Sequence, residues 1–247
     1  MDQGILQHRN QQVLYDKKWY IFLQRSWLFR YIPFIDGVFG SGSIALGNVT
    51  QDSDLDALIC ARQGRIFTAR MTAALLFGLF GWRRGKNDHA ASAADKVCLN
   101  HFSTPNGFTF SLESNEYWQK LYTQLVPVYG TNKYIQSFFD ANDDWLEQPV
   151  IYKNDRRHLH QNPSGIKTAI EKFLSGPFGD WLEEKLKAYQ VQRIERGLGK
   201  NNSKGNSKHY IRIEGTKRRL YSLPPRIVYT DDELDFHPDP ITIEVAT

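Results

Sequence analysis

The chain has 247 residues, a formal net charge of +4 and 41% hydrophobic residues, a composition that excludes a disordered or fibrous protein. Its two cysteines stand in no metal-binding spacing, so neither a disulfide framework nor a zinc site is expected. The longest apolar stretch, residues 71–82, is too short to span a bilayer. The polar start lacks the apolar region of a signal peptide, which predicts a cytoplasmic protein without a membrane partner.

The first elements in chain order are a helix and a short strand. Residues 12–31 carry aromatic and aliphatic side chains at helical spacing, and Pro33 ends the helix. A strand is expected over Ile35–Phe39. A turn rich in glycine and serine follows, and a second strand then ends near Arg62.

The turn and the second strand carry the most informative chemistry of the chain. Residues 38–59 read VFGSGSIALGNVTQDSDLDALI. Asp54 and Asp56 are two positions apart on a strand, so both side chains point to the same face. Neighbouring carboxylates repel each other unless a cation lies between them, and oxygen ligands suit Mg²⁺. Because the backbone N–H groups of such a turn suit a phosphate, the segment predicts Mg²⁺ together with a nucleotide.

This segment resembles the signature of the nucleotidyltransferase superfamily that includes DNA polymerase beta. The signature is Gly-Ser, about ten residues, and then Asp-hydrophobic-Asp-hydrophobic; here GS at 42–43 is followed by DLDA at 54–57. The resemblance implies transfer of a nucleoside monophosphate from an NTP to a hydroxyl acceptor, with release of pyrophosphate. It assigns Asp54 and Asp56 to catalysis and to two Mg²⁺ ions. It also assigns Gly42, Ser43 and Ser53 to nucleotide binding.

Active members of this superfamily usually have a third carboxylate on a later strand of the same sheet. The next two predicted strands, 96–103 and 108–113, offer Asn100 and Glu113 as the third metal ligand. Asn100 would be normal in a group of uncharacterised bacterial proteins with this domain, which the runs KVCLNHF, LVPVYG and FFDANDDWL resemble. An amide adds no charge at a second metal, so the alternative is a catalytically silent, regulatory module that binds nucleotide or RNA.

The rest of the chain predicts helices around a small mixed sheet. A polar loop over 83–95 is long enough to act as a lid, and its arginines could reach a triphosphate; an exposed basic loop without that role is the equal alternative. We expect an α/β (α+β) fold, with a nucleotidyltransferase core in residues 1–150 and a mostly helical region in 151–247. That second region includes a mobile basic loop at about 197–208 and an acidic tail. Further helices are expected over 65–80, 116–124, 133–148, 165–175 and 178–196.

Charge is unevenly distributed over the second half of the chain. Residues 151–219 contain 16 Lys and Arg against 7 Asp and Glu, whereas residues 220–247 contain 1 against 6. The basic stretch mildly favours RNA as the acceptor, with a small molecule or a protein side chain still open. In the acidic tail, Asp235, His237 and Asp239 have the atoms of a metal site, but an acidic surface is the favoured interpretation.

Overall fold

The computed structural model describes residues 3–85, 88, 90–109, 116–146, 155–199, 218–223, 226–237 and 241–246. The α-helices are α1 (Gln3–Ser26), α2 (Gly42–Leu46), α3 (Ile66–Leu79), α4 (Ala90–Ala93), α5 (Glu116–Thr123), α6 (Asn132–Asp140), α7 (Gly165–Phe173) and α8 (Pro177–Gly199). The strands are β1 (Ile35–Gly40), β2 (Leu55–Ala61), β3 (Val97–Ser103), β4 (Val126–Gly130), β5 (Arg218–Leu223), β6 (Arg226–Tyr229), β7 (Glu233–His237) and β8 (Ile241–Ala246). Within these ranges, every helix lacks the combination of length and apolar composition that crossing a bilayer requires.

Six of these strands form one mixed sheet, in the order β4-β1-β2-β3-β7-β6. β2 and β3 are parallel, and the other neighbouring pairs are antiparallel. β5 and β8 form a separate antiparallel pair. A parallel pair needs a crossover connection, and α3 lies in the segment that connects β2 to β3. The mixed α/β class predicted from the sequence is confirmed.

Strand β2 separates two hydrophobic cores, because its side chains alternate between the two faces of the sheet. Ala57 and Ile59 join the core that α1 and α3 pack against. Leu58 and Cys60 join the other core, which α5 and α6 cover. We call these the α1–α3 face and the α5–α6 face. The acids at positions 54 and 56 share the parity of Leu58, so they belong to the α5–α6 face.

Four strands were not expected from the sequence, namely β4, β5, β7 and β8. β4 contains Pro127, which cannot donate a hydrogen bond to a neighbouring strand. The sheet tolerates this proline because β4 is its edge strand and pairs only with β1 in the described sheet. β7 lies in the predicted acidic tail and pairs with β3, so part of that tail belongs to the main sheet.

Other elements differ from the prediction mainly at their ends. The first helix begins at Gln3 rather than at residue 12, and its last turns are a 3₁₀ helix, Trp27–Tyr31. The helix predicted over 133–148 ends at Asp140, where the Asn142 amide donates to the carbonyl oxygens of Phe138 and Phe108, each at 2.9 Å. The strand predicted over 108–113 does not include its first two residues, and the remainder lies outside the described residues. The proposed boundary at residue 150 and most of the basic loop, residues 200–208, also lie outside them.

Candidate functional site

The turn between β1 and β2 is fixed to the strand that carries the carboxylates. Ser41 has an extended backbone, and its N–H donates to the carbonyl oxygen of Asp56 at 3.0 Å. The single helical turn α2 follows and ends at Gly47, whose φ of 76° is left-handed. The chain therefore leaves β1, makes one compact turn and returns beside β2, with positions 41–43 held next to Asp56.

Gly42 packs directly against the Asp56 carboxylate. Its φ of 58° lies in the left-handed region, where a side chain is unfavourable. A Cβ at this position would lie only 2.1 Å from Asp56 Oδ2, which is far inside van der Waals contact. Glycine is therefore required at position 42 for two reasons: the backbone is left-handed there, and the Asp56 carboxylate occupies the space of a side chain. The Gly-Ser turn and the second acid of the pair are therefore in direct contact.

Asp54, Asp56 and Cys98 form a cluster at the start of β2 and β3. One possible ligand atom from each lies within 4.8 Å of the others. Both carboxylates are partly exposed and Cys98 is buried. Burial raises the pKa of the Cys98 thiol, and the charges of Asp56 and Asp54 raise it further. The thiol is therefore neutral at physiological pH and does not add a third negative charge.

Arg84 is the cation that faces this cluster. Its Nη1 donates to Asp54 Oδ2 at 2.6 Å, and the Asp54 side chain is only 15% exposed. Burial alone would lower the pKa of Arg84, but the charge and the hydrogen bond of Asp54 raise it above its usual value. The guanidinium thus offsets part of the repulsion between the two carboxylates. Arg84 comes from the polar segment that the sequence predicted could reach a triphosphate.

The register of β3 determines which of its residues lies opposite the acids. Asp56 pairs with Cys98, and Leu58 pairs with His101, so β3 advances three residues while β2 advances two. This irregularity falls at Leu99 and Asn100. Cys98, rather than Asn100, is thus the direct neighbour of Asp56. Glu113, the other predicted third ligand, lies outside the described residues.

A second cluster lies one strand further along the same face. His101 on β3 pairs with Asp235 on β7, and possible ligand atoms of His101, Glu233 and Asp235 lie within 4.8 Å of one another. His101 Nε2 is 3.3 Å from Glu233 Oε1. Tyr117 links the two clusters: burial raises the pKa of its phenol, and the charges of Asp56 and Asp235 both add to the shift. The two acidic clusters therefore face the same region below α5.

The sequence carries a signal for this second cluster. Glu233 and Asp235 repeat the i, i+2 spacing of the first carboxylate pair, on a segment that alternates as a strand does. The trio Asp235, His237 and Asp239 of the acidic tail shares only Asp235 with the cluster. Asp239 lies outside the described residues, as does the side chain of His237.

The two serines assigned to the nucleotide have different surroundings. The carbonyl oxygen of Ser43 accepts from the N–H of Asn48 at 3.2 Å within the turn, and the residue is partly exposed beside Gly42. The hydroxyl of Ser53 accepts from the N–H of Thr50 at 2.8 Å. Ser53 therefore closes the turn that precedes β2, whereas Ser43 lies at the contact between the turn and Asp56.

Comparison of the chain with protein families, with curated proteins and with solved structures finds no significant match.

Proposed function

We propose that the chain is a metal-dependent nucleotidyltransferase, which moves a nucleoside monophosphate from an NTP to a hydroxyl acceptor and releases pyrophosphate. The observation that carries this proposal is the direct contact between Gly42 and the Asp56 carboxylate, with Asp54 in the same cluster. This contact places a turn suited to phosphate beside a carboxylate pair suited to a cation. The resemblance to the superfamily signature supports the same function.

The donor set fits a hard divalent cation. Asp54 and Asp56 offer carboxylate oxygens that are partly exposed, and Mg²⁺ prefers one or two protein carboxylates and otherwise keeps water and substrate oxygens. The neutral, buried Cys98 thiol does not suit Mg²⁺ as a ligand. When bound, Mg²⁺ would supply charge stabilisation at the transferred phosphate and its leaving group.

The protein groups around the pair have distinct roles in this proposal. The turn at Gly42 and Ser43 binds the phosphates through its backbone N–H groups. Arg84 neutralises Asp54 in the free protein and is the guanidinium that an incoming triphosphate would attract. The acceptor belongs to one of three classes: RNA, a small molecule or a protein side chain. A cytoplasmic location, which suits the free cysteines, is part of the same proposal.

The experiment is transfer of label from ATP, CTP, GTP or UTP in Mg²⁺ to total RNA, small hydroxyl compounds and protein. Asp54→Asn and Asp56→Asn should each lower transfer by about 100-fold or more, because each removes a charged metal ligand. Asp52→Asn is the matched control, since Asp52 is an exposed acid just before the same strand. Equal transfer by all three variants would contradict the proposal.

A catalytically silent nucleotide- or RNA-binding module is the second candidate. Cys98 favours it, because the residue opposite Asp56 on the neighbouring strand is a buried neutral thiol rather than a carboxylate. A silent module would bind labelled NTP without transferring it to any acceptor. Its binding would also persist in Asp56→Asn, whereas a two-metal enzyme would lose metal-dependent binding in that variant.

A further inference from the structure

A positive cluster lies on the α1–α3 face, where α8 packs beside α3. Gln190 is 96% buried, and its Nε2 donates to the carbonyl oxygen of Phe67 at 2.8 Å. This bond orients the amide so that its Oε1 accepts from Arg70 Nη1 at 2.7 Å. The Arg70 guanidinium also lies 4.7 Å from the centre of the Phe236 ring. Two neutral groups therefore hold this cation in one fixed position.

The charged groups that act on Arg70 are also cations. Burial lowers the pKa of Arg70 to about 10, and the positive charges of Arg83 and Arg193 contribute to the shift. Arg193 lowers the pKa of Arg83 as well, although burial is the larger cause. Within the described ranges, Arg70 hydrogen-bonds to Gln190 and forms no ion pair. Other arginines of the chain do pair with a carboxylate: Arg62, Arg65, Arg84 and Arg157.

The shape of the cluster follows from its three elements. Arg70 is partly buried on α3 and bonds to α8, whereas Arg83 and Arg193 are exposed. The N–H of Arg83 donates to the carbonyl oxygen of Phe77 at 3.2 Å, and Phe77 lies two turns after Arg70 on the same side of α3. Gln190 and Arg193 are three residues apart on α8, so they lie on the same side of that helix. Arg83 and Arg193 repel Arg70 electrostatically, and each of the three guanidinium groups has a planar fork of donors that matches an oxyanion. An anion bound between them would remove that repulsion.

We propose that Arg70, Arg83 and Arg193 form a binding site for a single phosphate group, as a phosphomonoester or free phosphate. One partly buried and two exposed guanidinium groups suit a small dianion, whereas an extended nucleic-acid backbone would need a basic groove. Arg70 and Arg193 belong to α3 and α8, which pack on the opposite face of the sheet from Asp54 and Asp56, whereas Arg83 directly precedes Arg84 of the carboxylate cluster. Neither Asp54 nor Asp56 is part of the proposed phosphate site. The proposal therefore does not depend on the proposed transferase activity.

The test is isothermal titration of the full chain with inorganic phosphate, at an ionic strength held constant with chloride. The double variant Arg83→Gln/Arg193→Gln keeps the buried Arg70–Gln190 contact and removes the two exposed charges. We expect it to weaken phosphate binding by about tenfold or more for each charge removed. Arg9→Gln, an exposed arginine on α1, is the control and should bind as the unmodified chain does.

A second readout separates a binding site from an ordinary structural role. Without phosphate, the double variant should melt at the same temperature as the unmodified chain or higher, since like charges are removed. Lower melting would show that the two arginines already have stabilising partners, which would overturn the proposal. Unchanged phosphate affinity in the double variant would overturn it as well. If a short RNA with a 5′-hydroxyl displaced phosphate with an affinity that grows with its length, the cluster would be a backbone-binding surface instead.

Discussion

Two pairs of acids at i, i+2 lie on the same face of one sheet, Asp54 and Asp56 at the start of β2 and Glu233 and Asp235 on β7, yet their surroundings differ. Asp54 and Asp56 adjoin the turn at Gly42, are partly exposed and face the Arg84 cation. Asp235 is completely buried in the sheet, beside His101. The spacing of the acids is therefore equal, while access to a ligand is not. What differs is the neighbouring backbone, because the first pair is next to a turn that can approach a phosphate.

The largest expected effect concerns the glycine that adjoins the first pair. Gly42→Ala introduces a Cβ in a left-handed conformation and against Asp56 Oδ2, so we expect a loss of about 3 kcal/mol in the free energy of unfolding. Gly47→Ala is the matched control. Gly47 also has a positive φ, but a Cβ there would meet no atom within 4 Å, so about 1 kcal/mol is expected. Urea denaturation measures both, and equal losses would mean that Asp56 does not pack against the turn.

A smaller effect is expected in the second pair, where Asp235 is the buried member. Asp235→Asn places an amide donor where the carboxylate only accepts, and should cost about 2 kcal/mol of unfolding free energy. Glu233→Gln is the control and should cost less than about 1 kcal/mol, because its remaining carbonyl oxygen can still accept from His101.

The Asp235→Asn variant also tests whether the two acid pairs differ in function. If Asp235 has only a structural role, the folded Asp235→Asn protein should keep its metal affinity and transfer rate. Both quantities are to be measured well below its melting temperature. If the transfer rate of the fully folded Asp235→Asn protein instead fell as far as that of Asp54→Asn, Asp235 would belong to the same metal site. The two acid pairs would then not differ in function.

The first pair could be predicted from the sequence because its causes are local. Strand parity aligns Asp54 with Asp56, and the glycine turn at Gly42 precedes Asp54 by only 12 residues. The surroundings of the second pair depend on β7 returning from far downstream to pair with β3, which side-chain periodicity does not specify. The identity of the residue opposite Asp56 depends on the irregular register between β2 and β3, which is equally non-local. Strand β4 could not be predicted for a similar reason. A strand that contains a proline is acceptable at the edge of a sheet, and the sequence does not reveal which strand lies at the edge.

The smallest expected effect concerns Arg84, the cation that faces the first pair. Arg84 is 41% exposed, so its ion pair with Asp54 is worth at most about 1 kcal/mol. Arg84→Gln should therefore leave stability nearly unchanged and raise the affinity for Mn²⁺, used as a probe for Mg²⁺, by up to about fivefold, because the cation no longer competes with Arg84. The same variant should bind ATP more weakly if Arg84 transfers to the triphosphate. Arg62→Gln is the control, since that arginine pairs with Asp36 away from the cluster. A gain in Mn²⁺ affinity together with a loss in ATP affinity would show that the Arg84 guanidinium pairs with Asp54 in the free protein and with the phosphates in the complex. No change in either affinity would mean that the Arg84–Asp54 pair is a surface contact without a role in the site.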